Sequence, residues 1–137
     1  MSNTVWHPEL SIILTEDIGE GCTLHAPIWV GRHVRIGNRV KVEAFSFIPE
    51  GVTLEDDVFV GPHFCGTNDK YPPSDRGDWL PILIKRGAVI GANVTIVCGV
   101  TIGEKAMIGA GSVVTKNVGA GELWYGNPAK RRGMRHE

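Results

Sequence analysis

The stretch IGANVTIVCGVTIGEKAMIGAGSVV, Ile90 to Val114, carries an aliphatic residue at every sixth position. A second small or β-branched residue stands two positions before these aliphatic residues, as Val94 and Val100 do before Ile96 and Ile102. A spacing of two is the alternation of a β-strand, so each six-residue unit predicts one short strand with two inward side chains. A period of six does not match the 3.6-residue period of an amphipathic helix. The stretch therefore predicts short strands that bend at a fixed interval.

The same period runs through most of the chain. It occupies Ile12, Ile18, Leu24, Val30, Ile36, Val42, Ile48, Leu54 and Val60, and it returns at Ile84. The two series are in phase because 84 − 60 = 24, which is four units of six. Strands that bend at a fixed period and keep one residue inside predict a β-solenoid.

A single interruption, CGTNDKYPPSDRGDWLPIL from Cys65 to Leu83, breaks the period. Its glycine and prolines disfavour a regular strand, so we predict a loop at about 66–81 between coils at about 12–65 and 82–119. A C-terminal segment, 120–137, would complete one domain spanning 1–137. Long excursions from a rigid scaffold commonly carry function.

Composition limits the class of protein. The formal net charge of −1 does not favour nucleic acid or an anionic membrane as a partner. No apolar run is long enough to span a membrane, and the first residues do not resemble a signal peptide, so we expect a cytoplasmic protein. The 3 cysteines are widely spaced, which favours reduced thiols over disulfides or a metal site.

The repeat resembles that of the hexapeptide acyltransferases. The resemblance implies an all-β fold, a left-handed parallel β-helix of about five coils with one long loop excursion. It also implies a coil of three hexads, a homotrimer, and acetyl-CoA sites in grooves between neighbouring prisms.

With three hexads in a coil, residues eighteen apart share a face. Trp29, Phe45 and Phe47 then lie outward on one side, which indicates a surface covered by a subunit or a ligand. His25 and Glu43 lie one coil apart on that side, either as a structural ion pair or as part of the site. His63 lies above them, and we expect the loop to leave from the same face.

Two longer motifs, VTLEDDVFVGPHFCGTNDKYPP and DWLPILIKRGAVIGANVTIVCGVTIG, resemble the N-acetyltransferases of nucleotide-linked 3-amino sugars. The similarity runs from about Ile18 to Met134. Sugar O-acetyltransferases with this solenoid carry a loop histidine, whereas this chain has Asn68 and Asp69. A neutral amine is already nucleophilic, so placement supplies much of the rate and the base is either His63 or a water.

Candidate site residues follow from the coil positions and from the same resemblance. His63 is the catalytic candidate because it lies on the aromatic face beside the loop and an imidazole can take a proton, and the candidate substrate residues are His25, Glu43, Asn68, Asp69 and Tyr71. The resemblance places the pantetheine arm along small residues and the phosphates near basic ones, at Gly91, Ala92, Gly109, Ala110, Lys116 and Lys130. The motif GNPAK, Gly126 to Lys130, carries the resemblance at the CoA site. Arg131, Arg132 and Arg135 fit a solvated tail as well as they fit contacts with the CoA phosphates.

Several alternatives stay open. The segment KVEAFSFIPEGV lacks polar residues that relatives carry, so an O-acetyltransferase and a non-catalytic trimeric scaffold remain as rivals. A zinc-dependent carbonic anhydrase on this fold needs three converging histidines, and His25, His33 and His63 are not spaced by eighteen. The nucleotide, the amine position, the acyl chain and any fusion to a further domain are not determined by the sequence.

Overall fold

A computed structural model describes residues 2–136. Across these residues the chain forms three sheets that wrap around one elongated core. Sheet A contains Thr4–Trp6, Thr23–His25, Lys41–Val42, Phe59–Val60, Val89–Ile90, Met107–Ile108, Glu122–Gly126 and Ala129–Met134. Sheet B contains Ile12–Ile13, Trp29–Val30, Phe47–Ile48, Cys65–Gly66, Thr95–Ile96 and Val113–Val114. Sheet C contains Arg35–Ile36, Val52–Leu54, Ile82–Ile84 and Thr101–Ile102, and two short 3₁₀ helices span Pro8–Leu10 and Arg76–Asp78.

The register confirms the all-β solenoid. Thr23 pairs with Lys41 and Lys41 pairs with Phe59, both eighteen residues apart and parallel. Sheet A has seven parallel strands, so the solenoid has about seven turns and not five. The additional turns come from Thr4–Trp6 and Glu122–Gly126, which lie outside the hexad pattern and were not counted from it. The hand of the coil stays a prediction.

The hexad residues form the core. Outside the long loop, every sixth-position residue from Leu24 to Val114 is buried, and so is the residue two positions before each of them, from Cys22 to Ser112. Buried hydroxyls are satisfied locally: Ser46 donates to the carbonyl of Glu43 at 2.9 Å, and Ser112 donates to that of Gly109 at 2.6 Å. The prediction was wrong at Ile12, which pairs with Trp29 and is exposed, because the first turn is one residue short and Ile13 takes the inward position.

The long loop inserts twelve residues without disturbing the stack. Cys65 pairs with Phe47, eighteen residues before it, and with Thr95, thirty residues after it, and 30 − 18 = 12. Twelve is two hexads, so the core pattern resumes in phase. The loop leaves after Cys65–Gly66 of sheet B and returns at Ile82–Ile84 of sheet C. It therefore leaves from the sheet that carries Trp29 and Phe47, as expected from the sequence, at the edge that adjoins sheet C and one strand away from His63.

Candidate active site

Small residues stack at the corner where sheet A turns into sheet B. Gly61, Gly91 and Gly109 occupy one position in successive turns, and a Cβ added to Gly91 would lie 2.8 Å from the nitrogen of Ala110. A Cβ added to Gly61 would lie 2.7 Å from the carbonyl carbon of Gly91. Glycine is required here by the close approach of one turn to the next. The structure thus brings Gly91, Ala92, Gly109 and Ala110 together at one corner.

Backbone donors are free at this corner. The carbonyl of Ala92 accepts from the N–H of Gly111 at 2.8 Å. Within residues 2–136, however, the N–H groups of Ala92 and Ala110 donate no hydrogen bond to protein. Such N–H groups can stabilise a developing oxyanion.

His63 lies at the same corner. His63 has a left-handed backbone with a φ of 59°, and Phe45, one turn of the solenoid below, has the same conformation with a φ of 64°. The two rings stack with centroids 5.0 Å apart and an interplanar angle of 11°. The exposed imidazole is therefore oriented by an aromatic surface, with its edge open to an incoming group.

His25 and Glu43 form a pair one turn further down. His25 Nε2 lies 3.7 Å from Glu43 Oε2, and both side chains are about one third exposed, at 37% and 30%. The Trp6 ring stacks on the His25 ring at 6.4 Å. Hence the pairing predicted from the eighteen-residue spacing is present, next to the glycine stack.

The loop residues divide into two places. Asn68 Nδ2 donates to the carbonyl of Glu50 at 3.0 Å, which anchors the loop to the solenoid. The Asp69 carboxylate accepts from the N–H and hydroxyl of Ser74 at 2.8 and 2.5 Å, and the hydroxyl bond lowers the pKa of Asp69. Tyr71 is exposed beside Lys70. Asn68 is held at the far edge of sheet B from the His63 corner, and within residues 2–136 no hydrogen bond, ion pair or ring contact joins any of the three loop candidates to His63.

The two lysine candidates also separate. Lys116 follows Val113–Val114 and lies at the edge between sheets B and C, at the opposite end of sheet B from Ala110. Lys130 pairs with Tyr125 in the antiparallel hairpin of Glu122–Gly126 and Ala129–Met134. Tyr125 of the hairpin lies against Gly109 at the glycine corner. Lys130 therefore lies nearer to that corner than Lys116 does.

Tyr125 was not predicted from the sequence, and Arg132 was predicted to fit a solvated tail equally well. A Cβ on Gly109 would lie 2.8 Å from Tyr125 Cβ, so Tyr125 covers the last glycine of the stack. The Arg132 guanidinium lies 4.8 Å from the Tyr125 ring centroid, and its Nε donates to the Tyr125 carbonyl at 3.1 Å. The hairpin pairing that creates this contact has no hexad signal.

Possible metal ligands, helices and cysteines were also located among the described residues. Within residues 2–136, no three His, Cys, Asp or Glu side chains are grouped so that they could hold a metal ion. The same part of the chain contains no helix long and apolar enough to cross a membrane. All 3 cysteines are free thiols, and burial raises the pKa of Cys22 and Cys65.

Comparison with known proteins identifies similar chains. Residues 81–116 match the family described as bacterial transferase hexapeptide (six repeats). A dTDP-3-amino-3,6-dideoxy-alpha-D-galactopyranose 3-N-acetyltransferase of Aneurinibacillus thermoaerophilus is 57% identical over 51 residues, which is 37% of this chain and 27% of that protein. Serine acetyltransferase 2 of Arabidopsis thaliana is 32% identical over 125 residues, 88% of this chain and 36% of that protein.

A solved structure extends the likeness to three dimensions. A hexapeptide-repeat acetyltransferase of Vibrio cholerae O1 biovar eltor, in complex with acetyl coenzyme A, superposes with a TM-score of 0.76 at 27% identity. The match covers 90% of this chain and 73% of that one. The chain spans well under half the length of the two curated relatives above.

Proposed function

We propose that the chain, whose residues 81–116 match the bacterial transferase hexapeptide family, transfers the acetyl group of acetyl-CoA to the amine of a nucleotide-linked amino sugar. One observation carries the proposal. The close-packed Gly91–Gly109 corner, with the unused N–H groups of Ala92 and Ala110, lies in the same row of turns as His63 and the His25–Glu43 pair. The 57% identity to a dTDP-amino-sugar 3-N-acetyltransferase supports the acceptor class.

The proposed reaction begins with attack of the neutral amine on the thioester carbonyl carbon. The C–N bond forms and the carbonyl oxygen becomes an oxyanion, which accepts hydrogen bonds from the N–H of Ala92 or Ala110. His63 takes the surplus proton from nitrogen, directly or through a water, while Phe45 holds its ring. The C–S bond then breaks, the thiolate is protonated, and the amide and CoA leave.

The cofactor part of the proposal places the pantetheine arm along Gly91, Ala92, Gly109 and Ala110, where only a small side chain permits close contact. Lys130, which has no ion pair within residues 2–136, is the proposed partner of a CoA phosphate. Arg132 joins it, because its stack on Tyr125 fixes a cation beside the last glycine of the corner. Lys116 lies at the far edge of sheet B, so it contacts CoA only if the bound cofactor extends across that sheet.

The substrate part divides between subunits. His25 and Glu43 are proposed to contact the sugar at the His63 corner. Asn68 lies at the far edge of sheet B, and Asp69 and Tyr71 follow it in the loop, so they are proposed to contact the part of the acceptor that extends away from the His63 corner, in a site completed by a neighbouring copy of the chain. We propose a homotrimer in which residues 1–137 form one acyltransferase domain; exposed aromatics such as Trp6 and Phe45, at 52% and 59%, support a covered face. Free cysteines support a cytoplasmic location.

The test is CoA release from acetyl-CoA, detected as free thiol, with dTDP- and UDP-linked 3-amino and 4-amino sugars and the matching hydroxyl sugars. Turnover confined to the amines is expected. Serine is included as an acceptor because of the 32% identity to a serine acetyltransferase. Turnover of serine or of the hydroxyl sugars would replace the proposal with O-acetyl transfer. Failure of acetyl-CoA to bind would leave a non-catalytic scaffold.

A further inference from the structure

A pocket of about 340 Å³ lies between sheet B and the long loop. Leu14, Trp29 and Phe47 line its solenoid side, while Asn68 and Trp79 line its loop side, with Arg32 at the rim. An apolar hollow with a few polar groups is the usual form of a small-molecule site. None of the roles proposed above uses the pocket itself, and only Asn68 is shared with them.

The solenoid side offers two exposed aromatic rings. The rings of Trp29 and Phe47 stack with centroids 6.2 Å apart and an interplanar angle of 22°. In this chain they remain 38% and 43% exposed. Paired exposed rings of this kind suit the stacking of a planar heterocycle.

The loop side offers an unsatisfied donor. Trp79 Nε1 is buried and has no hydrogen-bond partner within residues 2–136. Buried donors are normally paired, so this indole N–H, on a side chain that lines the pocket, lacks an acceptor that a ligand could supply. A ring carbonyl of a nucleobase supplies such an acceptor.

Two charged residues, Arg32 and Glu50, also line the pocket. Glu50 is engaged by Arg76, whose Nε donates to Oε2 at 3.0 Å, and its carbonyl holds Asn68. Within residues 2–136 Arg32 forms no ion pair and is left as a second donor. The Arg76–Glu50 pair also fixes the loop segment that carries Trp79 over the pocket.

We propose that this pocket binds the base of the nucleoside diphosphate in the acceptor, with a ring carbonyl on the Trp79 N–H and the ring against Trp29 and Phe47. The inference rests on the proposed function for its choice of ligand. Phe47 lies two residues, roughly 7 Å, along the chain from Phe45, which stacks on His63. The ribose and diphosphate therefore leave along Phe47 toward the His63 corner.

The experiment measures binding of dTDP, UDP and ADP by calorimetry with CoA at saturation, so that the CoA site is filled. We expect dTDP and UDP, which have two ring carbonyls, to bind more tightly than ADP. Trp79→Phe, which removes the N–H together with part of the indole ring, and Trp29→Leu, which removes an aromatic ring, should each weaken dTDP binding by roughly tenfold.

The control is Trp124→Phe, because Trp124 Nε1 already donates to Glu122 at 3.2 Å and Trp124 lies on the hairpin strand. It should bind dTDP as the wild type does, and CoA affinity and thermal unfolding of all variants should verify the fold. Wild-type affinity in both Trp79→Phe and Trp29→Leu, or no binding of dTDP and UDP at all, would overturn the inference. Loss in these variants without any acetylation of amino sugars would leave the pocket standing and refute the proposed function.

Discussion

Replacement of Gly91 by alanine tests whether the corner of the solenoid is as tightly packed as the structure indicates. The added Cβ would lie 2.8 Å from the nitrogen of Ala110 and 2.9 Å from the carbonyl oxygen of Ile108. Ordinary contacts of this kind begin near 3.4 Å, so the two turns would have to separate by about half an ångström. That movement strains the hydrogen bond from the Gly91 N–H to the Ile108 carbonyl, now 2.9 Å long.

The expected cost resembles that of overpacking a core, about 1–3 kcal/mol. At roughly 4 °C for each kcal/mol in a domain of this size, the unfolding midpoint should fall by about 4–12 °C. The KM for acetyl-CoA should rise as well, because the variant moves Ala92 and Ala110.

The matched control is Gly77→Ala in the long loop, where an added Cβ meets nothing within 4 Å. Both variants restrict the unfolded chain equally, so their difference isolates the contact at the corner. Differential scanning fluorimetry and initial rates measure the two effects. Equal unfolding midpoints for Gly91→Ala and Gly77→Ala would refute the reasoning, since the turns would then open without cost.

Three further predictions concern the base, the loop and the core. His63→Asn should lower kcat/KM for the amine acceptor by about 10²–10⁴ through a loss in kcat, whereas a loss confined to KM would make His63 a positioning residue. Arg76→Gln should release the loop and speed tryptic cleavage at Lys70. Because Arg76 lowers the pKa of Glu50, the ion pair stabilises the loop above the ordinary carboxylate pKa, and this stabilisation is lost as pH falls through the lowered pKa. The wild type and Arg76→Gln should therefore be cleaved at equal rates by pepsin in acid. A difference in rate that persists in acid would contradict the ion-pair explanation. Ser112→Ala leaves the Gly126 N–H without its 3.2 Å acceptor and should cost about 1–3 kcal/mol in chemical denaturation, while no loss would mean that water replaces the hydroxyl.

Much of the candidate site could be predicted because it follows the repeat. The eighteen-residue coil places His25 below Glu43 and Gly91 below Gly109, and the structure shows both relations. The functional roles of these residues stay predictions. Loop residues follow no repeat, so their positions could not be predicted. Asn68 donates a hydrogen bond to the Glu50 carbonyl, and the Asp69 carboxylate accepts one from the Ser74 hydroxyl.

The sequence by itself determined the solenoid, its core and the corner of small residues, because a strand bend every six residues is a local property that adjacent turns simply copy. It did not determine the first turn, where one residue fewer exchanges Ile12 for Ile13. The edge from which the loop leaves, the cover of Tyr125 and Arg132 on the last glycine, and the Trp79 pocket were decided only by the tertiary structure. Each of these joins residues far apart in the chain, through contacts that no period in the sequence encodes.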